Sequence, residues 1–467
     1  MIELQFHGAA RQVTGSMHVL RCGGTTLSLD CGLFQGRRAE ARQLNERLPL
    51  RPRELDMVVL SHAHIDHSGR LPLLAKGGFA GPIWATPATA DLCGLMLPDS
   101  GHIQEEDALF WNTRRADGGD RIEPLYTAQE AKACLPQFRP LAYNRPQELA
   151  PGVRATFLDA GHLLGSAMVL LELSGGNGSP LRLLFTGDLG RFNLPILNDP
   201  AEPLPECDYL ITESTYADRR HDNPLDTKDR LCRIIAETRA AGGKVVIPAF
   251  SVGRTQEVIY YLMQAFQQGR LAPIPVFVDS PLSTGATRIF ARHPECYDAE
   301  AARQVDARGE IFAGDGLVKY ITDVADSKAL NDRQEPCVIL AASGMCESGR
   351  ILHHLKNNVQ DERNTVLVVG FMAQHTLGRR IVERREEIRI FGRMYRLLAR
   401  VEILNGLSAH ADAAEFRRLL GPLAKRLKRA FVVHGEERQS AAMKELLEQA
   451  GCRKVDIPSQ GDKVRLN

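Results

Sequence analysis

Residues 61–69 read S-H-A-H-I-D-H-S-G, directly after the apolar run L-D-M-V-V-L at 55–60. The run reads as a buried strand, and a strand that ends in polar residues presents chemistry along one sheet edge. Four candidate ligands, His62, His64, Asp66 and His67, fall within a span of six residues just after that strand. Imidazole and carboxylate donors suit Zn, Mn or Fe. His62 and His64, two apart, can point to one side and grip one ion, whereas Asp66 and His67 lie a turn further on and can reach a second. The bland alternative is a solvated polar loop. Three histidines and an aspartate packed this densely would repel one another on protonation unless a cation organised them, so we expect a metal-binding loop.

Four ligands in one loop cannot close two coordination shells, so partners are expected elsewhere. His162 in D-A-G-H-L-L-G-S-A and Asp188 in F-T-G-D-L-G both sit in short glycine-flanked turns, and His434 in F-V-V-H-G-E follows another apolar run. Glycine lets the backbone turn sharply and brings a side chain close to an ion. A carboxylate such as Asp188 can bridge two cations with its two oxygens. Taken singly these three read as structural residues; beside 61–69 they complete a seven-residue ligand set.

The rest of the chain bounds the answer. Its 467 residues suggest two or three domains, and 44% hydrophobic with 25% charged residues match soluble globular usage. Lysine and arginine total 58 against 57 acidic residues, so any nucleic-acid contact must be a local patch. No apolar run of about 18 residues could span a bilayer, and the N-terminus has no secretory pattern. Ten scattered cysteines without a C-x-x-C exclude a thiolate zinc site and fit a reduced, cytoplasmic protein. Ile2, Leu4 and Phe6 alternate as a strand, and 19–32 reads as a hairpin turned at Gly23-Gly24. Helices are expected over 125–139, 225–241 and about 438–450. From about residue 216 strands alternate with helices, a βαβ rhythm that implies a parallel sheet. The Arg-rich stretch 379–400 is interleaved with Glu383, Glu386 and Glu387 and reads as a solvated face.

The segment H-x-H-x-D-H, the glycine-flanked His162 and the strand-end Asp188 resemble the metallo-β-lactamase superfamily. Glu213 in I-T-E-S-T-Y-A-D-R, the block P-A-F-S-V-G-R-T-Q-E at 248–257, S-G-M at 343–345, His410 in L-S-A-H-A-D and His434 resemble its β-CASP subgroup. The resemblance is closest to compact bacterial ribonucleases of the cleavage-and-polyadenylation-factor type, without the KH modules or C-terminal extension of other members. It implies an αββα sandwich, 1–215 with 401–467, carrying an inserted β-CASP α/β domain, 216–400. RNA is expected to enter between the two.

By resemblance, one ion takes His62, His64 and His162, the second takes Asp66, His67 and His434, and Asp188 bridges. The expected cofactor is two Zn2+, with Mn2+ the alternative. The catalytic set comprises Asp66, Asp30, which supports the ligand loop, and the pair Glu213 and His410, in which the histidine protonates the leaving group. Ser343, Gly344 and Arg254 are expected phosphate contacts. His102 and His375 receive no role. The activity implied is hydrolysis of phosphodiester bonds in single-stranded RNA by a metal-activated bridging water, endo- or exonucleolytic, in RNA processing or decay. The competing reading is a thioester or lactone hydrolase of the glyoxalase II type, which would not need the insertion, Glu213 or His410. No membrane partner is expected, and a homodimer is compatible with the sequence.

Overall fold

The computed structural model describes residues 1–36, 38–114, 121–174, 180–222, 224–309, 311–312, 316–370, 372 and 375–467. They divide into two units: Met1–Asn193, Asn198–Arg220 and Ala409–Asn467 form one, and Leu194–Leu197 with His221–Ser408 form the other.

The first unit holds two seven-stranded sheets. In the first, the neighbours run Lys463–Leu466, Ile2–Phe6, His18–Cys22, Thr25–Leu29, Met57–Val59, Ile83–Ala85 and Phe138–Pro140. In the second they run Val455–Asp456, Arg429–Val432, Tyr209–Thr212, Leu181–Phe185, Ala167–Leu173, Val153–Asp159 and Gln147–Ala150. Period-two alternation decides which side chains meet. Leu4, Phe6, Leu29 and Val59 of the first sheet share one core with Phe157, Val169, Phe185 and Phe431 of the second. Each such side chain withdrawn from water contributes about 1.5–3 kcal/mol. On its other face the second sheet packs Leu170, Leu184, Leu210 and Val432 against Phe416, Leu420, Met443 and Leu447 of helices Ala413–Ala424 and Glu437–Gln449. Helices Leu71–Lys76 and Pro87–Arg114 bury Leu74, Leu92, Cys93 and Leu97 beside the first sheet. The order is helix, sheet, sheet, helix.

Register places the chemistry. Leu181–Phe185, Tyr209–Thr212 and Arg429–Val432 pair in parallel, so their C-terminal ends share one edge. The residues that follow them there include Asp188, Glu213 and His434.

The helix expected over 125–139 is shorter. Only Ala128–Cys134 is α-helical, opened by a Thr127–Glu130 capping box. Pro136 has no N–H to continue the ladder, so Leu135–Gln137 tightens into a 3₁₀ turn and Phe138–Pro140 leaves as a strand alongside Ile83–Ala85.

The second unit is built on a six-stranded sheet in the order Val318–Tyr320, Val276–Asp279, Val338–Ala341, Val245–Pro248, Thr365–Val368 and Arg400–Ile403. Every pairing is parallel, and the four middle strands are buried along their whole length. The Arg-rich stretch gives the end of a short helix, Leu377–Val382, and a hairpin of Glu387–Ile390 with Arg393–Arg396. Ile388 and Ile390 turn inward, while Glu383 sits 3.0 Å from both Arg379 and Arg385 on the exposed side. No helix among the described residues is long and apolar enough to cross a membrane. All ten cysteines are free and buried.

Candidate metal centre

All seven expected ligands lie in the first unit, and the structure brings them together. One group comprises His62, His64, His162 and Asp188, and a second comprises Asp66, His67 and His434, with the donor atoms of each group within 4.8 Å of one another. Asp188 stands between them. Its Oδ2 is 3.5 Å from the Nε2 atoms of both His62 and His162, and its Oδ1 is 3.3 Å from His67 Nε2 and 3.5 Å from His434 Nδ1.

The outer nitrogens are held from behind, which fixes the direction of the inner ones. Asp30, fully buried at φ 60°, accepts from Ser61 N–H at 2.8 Å and faces His67 Nδ1 at 2.7 Å. Ser61 Oγ also meets His62 Nδ1 at 3.0 Å, and His162 Nδ1 meets the Ala409 carbonyl at 3.3 Å. Buried Arg70 donates to the Gly32 carbonyl at 2.6 Å. Gly32 admits no side chain, because a Cβ there would lie 1.5 Å from the Asp66 carbonyl oxygen. Such outer contacts set the ring orientation of a ligating histidine. Ser61, Arg70 and Thr215, whose hydroxyl is 3.2 Å from His434 Nδ1, escaped the sequence reading. Ser61 and Thr215 stand inside the quoted motifs, the one signal that marks them.

The inner atoms oppose one another. His64 Nδ1 faces His62 Nε2 at 3.0 Å and His162 Nε2 at 3.3 Å, and His67 Nε2 faces His434 Nε2 at 3.2 Å. One proton can serve only one such pair, and Asp188 Oδ1, fully buried, has no hydrogen-bond partner. Burial drives the protons off His62 and His162. Asp188 resists the same burial because His434 and His67 hold it well below the usual carboxylate range. Imidazole nitrogens and a shared carboxylate converging on one buried space, with too few protons for every facing pair, are an arrangement that a divalent cation satisfies. The residues fit a metal.

Beside this cluster, Glu213 is fully buried and accepts from Leu189 N–H at 2.7 Å and Thr215 N–H at 3.2 Å. Its oxygens lie 3.1 and 3.2 Å from His410 Nδ1. Burial alone would lower the His410 pKa, but the Glu213 carboxylate overrides it and pushes it up to about 9. A histidine charged at neutral pH therefore stands against the cluster, its ring centroid 4.4 Å from that of His162.

The expected phosphate contacts lie in the second unit. Arg254 is nearly buried and ion-paired with Glu257. Ser343 turns its N–H back to the Ser348 carbonyl at 3.2 Å, so that donor is spent within its own loop. Gly344 lies against the ring of Phe250. His102 is exposed and 3.4 Å from Glu106, and His375 takes a left-handed turn at φ 69° in the second unit. Neither joins the cluster.

Residues 11–231 match the metallo-beta-lactamase superfamily, 255–381 the Beta-Casp domain, and 394–458 the Zn-dependent metallo-hydrolase RNA specificity domain. The chain is 37% identical over 458 residues to Ribonuclease TTHA0252 of Thermus thermophilus, covering 98% of each. It is 30% identical over 475 residues to the transcription termination factor FttA of Methanocaldococcus jannaschii, covering 100% of this chain and 72% of that one. A crystal structure of a protein of unknown function from Enterococcus faecalis aligns over the full length of both chains with a TM-score of 0.56 at 13% identity, a likeness of fold alone.

Proposed function

Because this chain belongs to the β-CASP branch of the metallo-β-lactamase superfamily, we propose that it is a metal-dependent ribonuclease that hydrolyses phosphodiester bonds of single-stranded RNA. The carrying observation is Asp188, whose two oxygens face two separate ligand groups. On this reading His62, His64 and His162 hold one ion, Asp66, His67 and His434 hold the second, and Asp188 serves both; Zn2+ is expected, with Mn2+ the alternative. Two divalent ions supply Lewis-acid charge to the phosphoryl group and lower the pKa of water.

The remaining roles belong to the chain itself. Asp30 and Ser61 hold His67 and His62 with Nε2 aimed inward. His410, charged and fixed by Glu213, gives its proton to the leaving 3′-oxygen, which is a poor leaving group without one. The water oxygen bonds to phosphorus as the bond from phosphorus to the 3′-oxygen breaks; the 3′-oxygen keeps the His410 proton, the water gives up one proton to solvent, and a 5′-phosphate and a 3′-hydroxyl result. The full-length match to a protein named as a ribonuclease supports this substrate class, and the free cysteines support a cytoplasmic setting.

End-labelled single-stranded RNA incubated with the purified protein and Zn2+ or Mn2+ tests the reading. Shortened products with 5′-phosphates are expected. Intact RNA under both ions, alongside turnover of a thioester or lactone, would overturn it.

A further inference from the structure

The C-terminal edge of the parallel sheet carries one side chain that its own surroundings do not use. Phe250 follows strand Val245–Pro248, whose residues are all buried, yet the phenylalanine is 42% exposed. Four phenylalanine or tryptophan side chains are exposed among the described residues. Phe110 and Trp111 pack on each other at 5.6 Å, and Phe391 packs on His353 at 4.7 Å. Among the described residues, no ring or cation packs on Phe250.

Its position is fixed all the same. The Phe250 carbonyl accepts from the Thr255 hydroxyl at 2.8 Å. The two neighbouring strands, Val338–Ala341 and Thr365–Val368, continue into Gly344 and Gly370. A Cβ on Gly344 would lie 2.9, 3.0 and 3.0 Å from Cδ2, Cε2 and Cγ of the ring, and one on Gly370 would lie 3.6 Å from Cε2. Three consecutive ring atoms at nearly equal distance put that point over the ring's face. An approach in the ring plane would leave the flanking carbons well beyond the nearest one. Bare backbone thus backs one face of the ring, and any larger residue at 344 would displace it. Chain connections leave Val245–Pro248 toward Val276–Asp279 but leave Val338–Ala341 toward Thr365–Val368, in the opposite direction along the sheet. In open parallel sheets such a reversal is where ligands bind, beyond the strand C-termini.

We propose that Phe250 is a stacking platform for one base of the single-stranded RNA, an inference that rests on the ribonuclease reading above. A planar, backed, solvent-open ring suits a nucleobase face, and such stacking tolerates any base because every base has a π-face. The residue positions substrate; the chemistry lies elsewhere in the chain.

Two readouts separate this claim from the reading beneath it. Single-stranded RNA carrying 2-aminopurine, walked one position at a time, should lose fluorescence on binding at one position in the native protein and keep it with Phe250→Ala. In cleavage assays Phe250→Ala should raise KM about ten-fold with kcat unchanged, and Phe250→Trp should restore it. A single abasic nucleotide at the quenched position should cost the native protein the same factor and cost Phe250→Ala nothing further. RNA cut by Phe250→Ala with native KM, or abasic and Phe250→Ala losses that simply multiply, would overturn stacking and leave the ribonuclease reading standing. Quenching that depends on Phe250 without any cleavage would uphold stacking and remove the ribonuclease.

Discussion

Two sheet edges of this protein carry polar residues and treat them in opposite ways. At the edge holding His62, His64, Asp66 and His67, imidazole nitrogens face one another at 3.0–3.3 Å and a buried carboxylate oxygen has no donor. At the C-terminal edge of the parallel sheet, Arg254 is paired with Glu257 and the Ser343 N–H is bonded within its own loop. The first edge is frustrated as a protein and would be satisfied by cations; the second pairs Arg254 with Glu257 inside its own helix and offers an open ring. Unmet electrostatic demand in a buried site costs stability, so its persistence marks function. Polar residues at a strand end do not carry that meaning by themselves.

The contrast breaks first at Asp188. Asp188→Ala removes the group common to both ligand sets, and RNA cleavage should fall by more than about 100-fold, since even outer contacts of metal ligands are worth 10–100-fold. Circular dichroism should remain native. Full turnover in this variant would mean that the opposed histidines are merely a buried cluster.

His410→Ala should slow cleavage by about 10²–10⁴-fold without loss of metal. The acid must be protonated to act, so the native rate should decline as pH rises through the His410 value, held near 9 by Glu213. That alkaline limb should be absent in the variant. A phosphodiester whose leaving 3′-oxygen is replaced by sulfur needs no proton and should largely restore His410→Ala; failure to do so would assign His410 to holding the phosphate.

At the Arg254 edge the expected loss is of stability. Arg254→Ala removes the ion-pair partner of Glu257, whose side chain is only 11% exposed, and should cost about 3 kcal/mol in denaturant unfolding. Arg254→Met with Glu257→Leu should recover most of it. A variant with native stability but a shallower dependence of RNA affinity on salt would make Arg254 the phosphate contact that the sequence suggested.

The finest comparison is within the cluster. Asp30→Asn keeps the shape behind His67 and removes the charge, so metal affinity should weaken about 10–100-fold in a competition titration with a chelator. Unchanged affinity would reduce Asp30 to a loop brace.

What could be read from the sequence follows the same division. The segment 61–69 packs its donors into one turn of chain, so spacing alone brings them together. His162, Asp188 and His434 were legible because each follows a strand or sits between glycines, and parallel register gathers strand ends at one edge. The Asp30–His67 bond joins residues 37 apart and the Glu213–His410 pair residues 197 apart; no local spacing encodes either contact, and the family resemblance supplied them. The pairing of Arg254 was not legible because Glu257 lies a helical turn later, visible as i,i+3 only once the helix start is fixed. The strand at Phe138–Pro140 was lost in a helical pattern that Pro136 interrupts.

The central claim is that this cluster holds two divalent ions and uses them on RNA. Metal-free protein titrated with Zn2+, followed by elemental analysis after desalting and by cleavage of end-labelled single-stranded RNA at each point, tests it most directly. Two equivalents retained per chain are expected, with cleavage rising as the second is bound and 5′-phosphate products throughout. Protein that retains two equivalents and leaves the RNA intact, or that cleaves it fully with none, would contradict the account.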